Sequence, residues 1–101
     1  MTGIDCIAAL KALGELNRMR IVRLLLKKKL GVNEIAEHLE LSQYNVSKHL
    51  RILKEAGLLA MEKAGKQRLY TVAPGLKNQL RANANVLELN CCTFRFDKLP
   101  K

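Results

Sequence analysis

The segment Ser42-Gln43-Tyr44-Asn45-Val46-Ser47-Lys48-His49-Leu50-Arg51-Ile52-Leu53-Lys54-Glu55-Ala56-Gly57 constrains this chain more than any other. Val46, Leu50 and Leu53 recur at helical spacing behind a Ser that can cap a helix. Gly57 supplies the left-handed residue at which helices often stop. The pattern predicts a helix with one buried stripe. Its opposite face carries Gln43, Tyr44, Ser47, Lys48 and Arg51, which mix amide and hydroxyl groups with cations. Such a helix fits a DNA major groove, where amides meet base edges and cations meet phosphates.

Length and charge agree with a small basic domain. The 101 residues leave room for one core, and a dimer that adds an apolar interface suits a chain of this size. The net charge of +9 is uneven: Arg18, Arg20, Arg23, Lys27, Lys28 and Lys29 fall in one stretch that holds no acid. A phosphate-rich partner suits that balance, although any single Lys also fits a solvated surface. No secretory signal and no apolar run of membrane-spanning length is visible, so no membrane partner is expected. Three cysteines are too few for a disulfide scaffold, which points to reduced thiols and a cytoplasmic location.

Thr2 with Asp5 reads as a helix start, and Cys6, Ala9, Leu10 and Leu13 then share one face. A second helix is expected from about Asn17 to Lys28, and a third capped by Asn33 with Ile35, Ala36 and Leu39 inward. After Gly57 the period changes to two. Leu58 to Glu62 and Gln67 to Val72 read as antiparallel strands around Lys63-Ala64-Gly65-Lys66. Pro74 suits the first turn of a last helix, with Leu76, Leu80, Ala84 and Leu87 on one stripe and Cys91-Cys92 at its end. The expected fold is mainly α with a small β-hairpin wing. It forms a single winged helix-turn-helix domain over residues 1–101, with 92–101 an irregular tail.

The string Leu16-Asn17-Arg18-Met19-Arg20-Ile21, then Ile35-Ala36-Glu37-His38-Leu39 and Ser47-Lys48-His49-Leu50-Arg51-Ile52-Leu53, resembles the ArsR family of bacterial winged-helix repressors. Ala56-Gly57-Leu58-Leu59 and Arg68-Leu69-Tyr70 extend the likeness through the wing, so that it covers roughly residues 10–90. It implies a homodimer, built through the first and last helices, that occupies operator double-stranded DNA and lets go when an inducer binds. Two departures from the family narrow the inducer. The Cys-x-Cys that metal-sensing relatives often carry is absent from Leu30-Gly31-Val32-Asn33-Glu34. The His and carboxylate set that zinc sensors place on the last helix is absent from Leu76 to Asn90, where only Glu88 remains.

On the reading helix, Ser42 is first a cap whose hydroxyl can also reach phosphate. Gln43, Asn45 and Ser47 stand at its front, where base edges come within reach, and Gln43 suits bidentate pairing with adenine. Tyr44, Lys48, His49 and Arg51 suit phosphate, with His49 assigned on the motif likeness rather than on its spacing. Lys63, Lys66 and Arg68 stand at the wing tip, where backbone contact and a charged soluble turn are equal accounts. Lys27-Lys28-Lys29 offsets the carbonyl end of a helix dipole, and His38 reads as an ordinary helix residue.

Adjacent thiols at Cys91 and Cys92 are unusual for a surface tail, and thiolates suit thiophilic ions. Cys6 is a possible third ligand if the first helix packs beside the last; a place in the core fits it as well. The inducer expected is As(III) or Sb(III), and three thiolates would also hold zinc or cadmium. Two alternatives stay open: a thiol redox or reactive-sulfur sensor, in which Cys6 pairs with one of the other two, and passive packing in an effector-independent DNA-binding or protein-interaction module. No cofactor is expected to be needed for DNA binding. An enzyme is excluded on inventory: there is no phosphate loop, no HExxH, and only Asp5 and Asp97 as Asp residues.

Overall fold

The computed structural model describes residues 5–89 and 91–99. Four helices come first: α1 (Cys6–Leu13), α2 (Leu16–Lys27), α3 (Val32–Leu39) and α4 (Gln43–Glu55). A hairpin of β1 (Leu59–Ala64) and β2 (Gln67–Val72) follows, then α5 (Pro74–Ala82). A second small hairpin, β3 (Val86–Glu88) and β4 (Thr93–Arg95), leads into a 3-10 turn over Phe96–Lys98. This is the expected winged helix-turn-helix with an addition at its end. No described helix is long and apolar enough to cross a membrane.

Three of the helices, α1, α2 and α4, start where a side chain satisfies an end-of-helix N–H, while α5 starts on Pro74, which has no N–H to satisfy. Asp5 accepts from Ala8 N–H at 3.3 Å, Glu15 from Arg18 N–H at 3.0 Å and Ser42 from Asn45 N–H at 3.1 Å. The third helix corrects the expected cap. Gly31, not Asn33, precedes α3, and the Glu34 carboxylate reaches back to accept from Gly31 N–H at 3.1 Å. Thr2, expected to start the first helix, lies outside the described residues, and Asp5 is the cap instead. Gly57 adopts φ 80°, the left-handed conformation anticipated for the end of the reading helix.

The wing pairs Leu59 with Val72 through to Ala64 with Gln67, which leaves Gly65-Lys66 as a two-residue turn. Gly65 has φ 66°, as hairpins that place Gly first require. Leu30 adds a bridge to Tyr70 on the other edge of β2, through bonds of 3.2 and 2.8 Å. A Lys29–Glu62 ion pair at 2.8 Å also ties the exit of α2 to β1.

One apolar cluster runs through the molecule. Ile21, Val22 and Leu25 of α2 meet Ile35 of α3, Val46, Leu50 and Leu53 of α4, and Leu76 and Leu80 of α5. The stripe of α1 is turned from the expected one. Ala9, Ala12 and Leu13 are buried, Cys6 is half-buried, and Ile7 (51% exposed) and Leu10 (43%) face outward.

The last helix is shorter than its periodicity implies. Ala84 (φ 54°) and Asn85 (φ 64°) are both left-handed, and two successive residues of that kind cannot continue a right-handed helix. Asn tolerates this conformation, and Asn83 holds the corner by donating to Val86 O at 3.1 Å and to Glu88 Oε1 at 3.0 Å. Leu87 is buried as expected, but from a strand. Nor is 92–101 irregular throughout. Thr93–Arg95 pairs with Val86–Glu88, Phe96 N–H donates to Asn85 O at 2.9 Å, and the Phe96 ring is 1% exposed within the core. Replacing that ring by a methyl group is expected to lower unfolding free energy by about 3–5 kcal/mol, read from urea denaturation of Phe96→Ala. A loss under about 1 kcal/mol would mean that the segment adds little to the core.

Candidate nucleic-acid interface and thiol cluster

Burial of Val46, Leu50 and Leu53 turns the other face of α4 outward. Gln43, Tyr44, Asn45, Ser47, Lys48 and Arg51 are all exposed, with Tyr44 at 72%. The Lys48 ammonium lies 5.5 Å from the centre of the Tyr44 ring, within cation–π range. Tyr44, Ser47, Lys48 and Arg51 line a shallow concavity of about 370 Å³. Donors and cations thus share a surface that is not flat. Ser42, also exposed, uses its hydroxyl as the cap acceptor.

On the wing, Lys63, Lys66 and Arg68 are exposed around the Gly65 turn. Lys63 and Arg68 are direct cross-strand partners. Like charges opposite one another destabilise a hairpin, and an anion brought between them removes the penalty. Glu62, which might have offset them, is already paired with Lys29.

His49 stands apart from the other α4 residues grouped with it in the sequence. It is half-buried, and its Nδ1 accepts from Arg18 Nη1 at 3.3 Å. Because a guanidinium only donates, Nδ1 carries the lone pair and the ring proton lies on Nε2. Arg18 also donates through Nε to Ala12 O and through Nη2 to Lys11 O at 3.4 Å, two carbonyls of the last turn of α1. Burial lowers the pKa of His49 from its ordinary value of 6.5; the Glu15 carboxylate opposes this, and the charges of Arg18 and Lys48 add to it. Sequence reasoning passed over Arg18 except as part of a family string, since nothing local marks a side chain that reaches a helix 31 residues away.

The three cysteines come together. Cys6 opens α1, and Cys91 and Cys92 lie in the connection between β3 and β4, closed by Leu89 N–H donating to Cys92 O at 2.8 Å. All three sulfurs lie within 4.8 Å of one another. Cys6 and Cys91 are joined as a disulfide with Cα atoms 6.1 Å apart, and Cys91 N–H donates to Cys6 Sγ at 3.0 Å. Cys92 is a free thiol 3.6 Å from Cys91 Sγ. At metal–sulfur bonds of about 2.3 Å, two ligands on one centre are at most about 4.6 Å apart, so the reduced set fits a single thiophilic ion with little movement. Cys6, whose sequence position favours a core place slightly over a ligand role, is half-buried beside the other two. The cluster therefore bridges the start of α1 and the second hairpin. The alternating Thr93-Phe94-Arg95-Phe96 and the Asn-rich corner before Val86 were the signals for that hairpin.

Comparison with known proteins gives a consistent picture. The family described as "Bacterial regulatory protein, arsR family" matches residues 16–60. The transcriptional activator HlyU of Vibrio cholerae is 36% identical over 67 residues, which make up 66% of this chain and 62% of that protein. The matched stretches span less than two thirds of the length of the curated relatives. Among solved structures, one titled "Possible transcriptional regulator for arsenical resistance" is 41% identical with a TM-score of 0.62, over 72% of this chain and 76% of that one. The homodimeric winged helix-turn-helix DNA-binding domain of Mb0332 from Mycobacterium bovis is 27% identical with a TM-score of 0.70, over 77% and 72%. The relatives are transcriptional regulators rather than enzymes.

The lowered pKa of His49 has a measurable sign. In the folded chain the imidazole stays neutral to lower pH than in the unfolded chain. Its stabilising contribution is therefore complete above pH 6.5 and is lost as pH falls through the lowered folded value. Urea midpoints measured between pH 7.5 and 5, as about the practical range, should fall less steeply for His49→Gln than for wild type. Superimposable profiles would show that this ring does not contribute to acid sensitivity.

Proposed function

Because the chain belongs to the ArsR family of DNA-binding transcriptional regulators, we propose that it is a dimeric repressor whose inducer is trivalent arsenic or antimony. It occupies operator double-stranded DNA through α4 and the wing, and releases it when the metalloid binds Cys6, Cys91 and Cys92. The observation that carries the inducer reading is the convergence of three cysteine sulfurs from the two ends of the chain within 4.8 Å. With the Cys6–Cys91 disulfide first reduced by two cellular thiols, which leave as their own disulfide, the step balances as an exchange: arsenous acid loses three hydroxyl groups, the three thiols lose their protons, three As–S bonds form and three waters leave. Cys6 is also the first residue of α1, where the helix dipole favours negative charge.

On the DNA, Gln43, Asn45 and Ser47 read base edges, while Ser42, Tyr44, Lys48 and Arg51 hold phosphates, with His49 at their margin. Lys63, Lys66 and Arg68 place the wing on the backbone. The exposed Ile7 and Leu10 of α1, with Leu16 (50% exposed), support a homodimer contact on that helix. The α5 side chains that are fully buried, Leu76 and Leu80, are spent within the subunit. Operator affinity should fall steeply with salt, and Lys63→Ala combined with Arg68→Ala should lower the slope of log K against log salt by about 2. A slope unchanged by both substitutions would take the wing off the backbone.

A second reading has its own observation, the Cys6–Cys91 disulfide. In that version an oxidant such as hydrogen peroxide takes two electrons and two protons from the pair and leaves as water, and Cys92 is a bystander. One titration separates the readings: arsenite, or peroxide, added to repressor–operator complexes of wild type and of Cys6→Ser, Cys91→Ser and Cys92→Ser. Metalloid induction predicts release by arsenite in wild type and at least about a 10-fold weaker response for each Ser variant, Cys92→Ser included. Redox induction predicts release by peroxide that survives Cys92→Ser and is abolished by Cys6→Ser. Wild type that stays on DNA at saturating arsenite overturns the metalloid reading.

A further inference from the structure

The thiol cluster and the reading helix are connected through opposite ends of one short helix. Cys6 is the first residue of α1, and two carbonyls of its last turn, those of Lys11 and Ala12, are held by the Arg18 guanidinium. From Cys6 to Ala12 is about 9 Å at 1.5 Å per residue, so α1 moves as one rod. The same guanidinium reaches His49 on α4. A planar fork with fixed donor directions therefore joins the exit of α1 to the reading helix, while packing of α1 on both α2 and α4 surrounds the joint.

We infer that Arg18 is the positioning residue through which the state of the three thiols reaches the DNA-reading helix. In the DNA-binding form it holds the α1 carbonyls and the His49 ring together. A ligand gathered on Cys6 displaces α1 relative to α4, and the fork then keeps one side only. The inference rests on the metalloid reading of the thiol cluster.

Distances indicate which side gives way. The contacts to His49 Nδ1 (3.3 Å) and Lys11 O (3.4 Å) stand beyond the usual 2.7–3.2 Å range for N–H donors, whereas the bond from Nε to Ala12 O is the closest of the three. A displacement of about 0.5 Å is enough to break the two long contacts. Arg18 thus follows α1 through Ala12, and His49 is released. Its ring then loses the partner that fixes the proton on Nε2, and α4 loses a tether to the first two helices. The groups facing the ring are Arg18 and Glu15 at the start of α2 and Lys48 on α4 itself.

The experiment uses the full chain in reduced form and a fluorescent duplex selected from random sequence by the wild-type protein. Arsenite binding is followed by thiolate-to-arsenic ultraviolet absorbance, and DNA affinity by anisotropy with and without saturating arsenite, for wild type, Arg18→Lys and Arg18→Gln. Wild type should lose DNA affinity by 5-fold or more, within the ~5–150-fold span of allosteric couplings. Both Arg18 variants should bind arsenite within about twofold of wild type, with DNA affinities that arsenite changes by less than about twofold. A purely structural role for Arg18 would leave the His49 ring unmoved, so nitrogen NMR of wild-type His49 supplies a second readout that needs no substitution. Free of arsenite, Nδ1 should report an unprotonated acceptor and Nε2 the proton; arsenite should average the two signals. Variants that remain as arsenite-responsive as wild type, or His49 signals that do not move while DNA is released, overturn the relay and leave the thiol site standing. Wild-type DNA affinity indifferent to arsenite overturns both.

Discussion

Withdrawal of Val46, Leu50 and Leu53 from water fixes the rotation of α4, and the side chains available to DNA follow from that rotation. Each buried aliphatic side chain of this size contributes roughly 1.5–3 kcal/mol, so the three together oppose any turn of the helix about its axis by several kcal/mol. A rotation by one residue, about 100°, would bring Ser47 and Arg51 against the core and add the cost of burying an unpaired cation. The reading face is thus held by what lies behind it. The apolar residues of α2, α3 and α5 that meet the same stripe thereby set which α4 side chains are exposed.

The proposed function separates reading from sensing. The exposed donors and cations of α4 and the opposed Lys63–Arg68 pair form a surface suited to a polyanion. The three thiols sit where the start of α1 meets the second hairpin, on elements that contribute none of those side chains. Under that proposal the two are joined mechanically, by the packing of α1 on α4 and by the Arg18 guanidinium that bonds both.

Periodicity and caps made the first three quarters of the chain legible. The stripe of α4, the Ser42 cap and the Gly57 stop are local signals, and the structure carries them almost unchanged; the wing was legible too, although β1 runs on to Ala64 and leaves a two-residue turn in place of the expected Lys63–Lys66 connection. The end of the chain was misread because Leu76, Leu80, Ala84 and Leu87 keep helical spacing through a corner where the backbone turns left-handed. Hydrophobic spacing cannot reveal such a corner; the side-chain chemistry of Asn83 and Asn85 can. The α3 cap was misplaced by two residues since a glycine with no side chain is capped from within, by Glu34. The contact of Arg18 was beyond reach for a different reason: it joins residues 31 positions apart, which no local pattern encodes. The thiol set was legible only as a possibility, since bringing Cys6 to Cys91 and Cys92 needs a contact across 85 residues.

Cys6 and Cys91 are separated by 85 residues, so any bond or bridging ligand between them turns most of the chain into a closed ring. Cross-linking a loop of that length removes about 4.5 kcal/mol of disorder from the unfolded chain in the chain-entropy description. That is comparable to a large share of the whole stability of a small domain. The clasped form is then the more durable of the two. Under the proposed function, an inducer that bridges the cysteines would leave a released regulator resistant to unfolding, and recovery of repression would depend on removing the clasp.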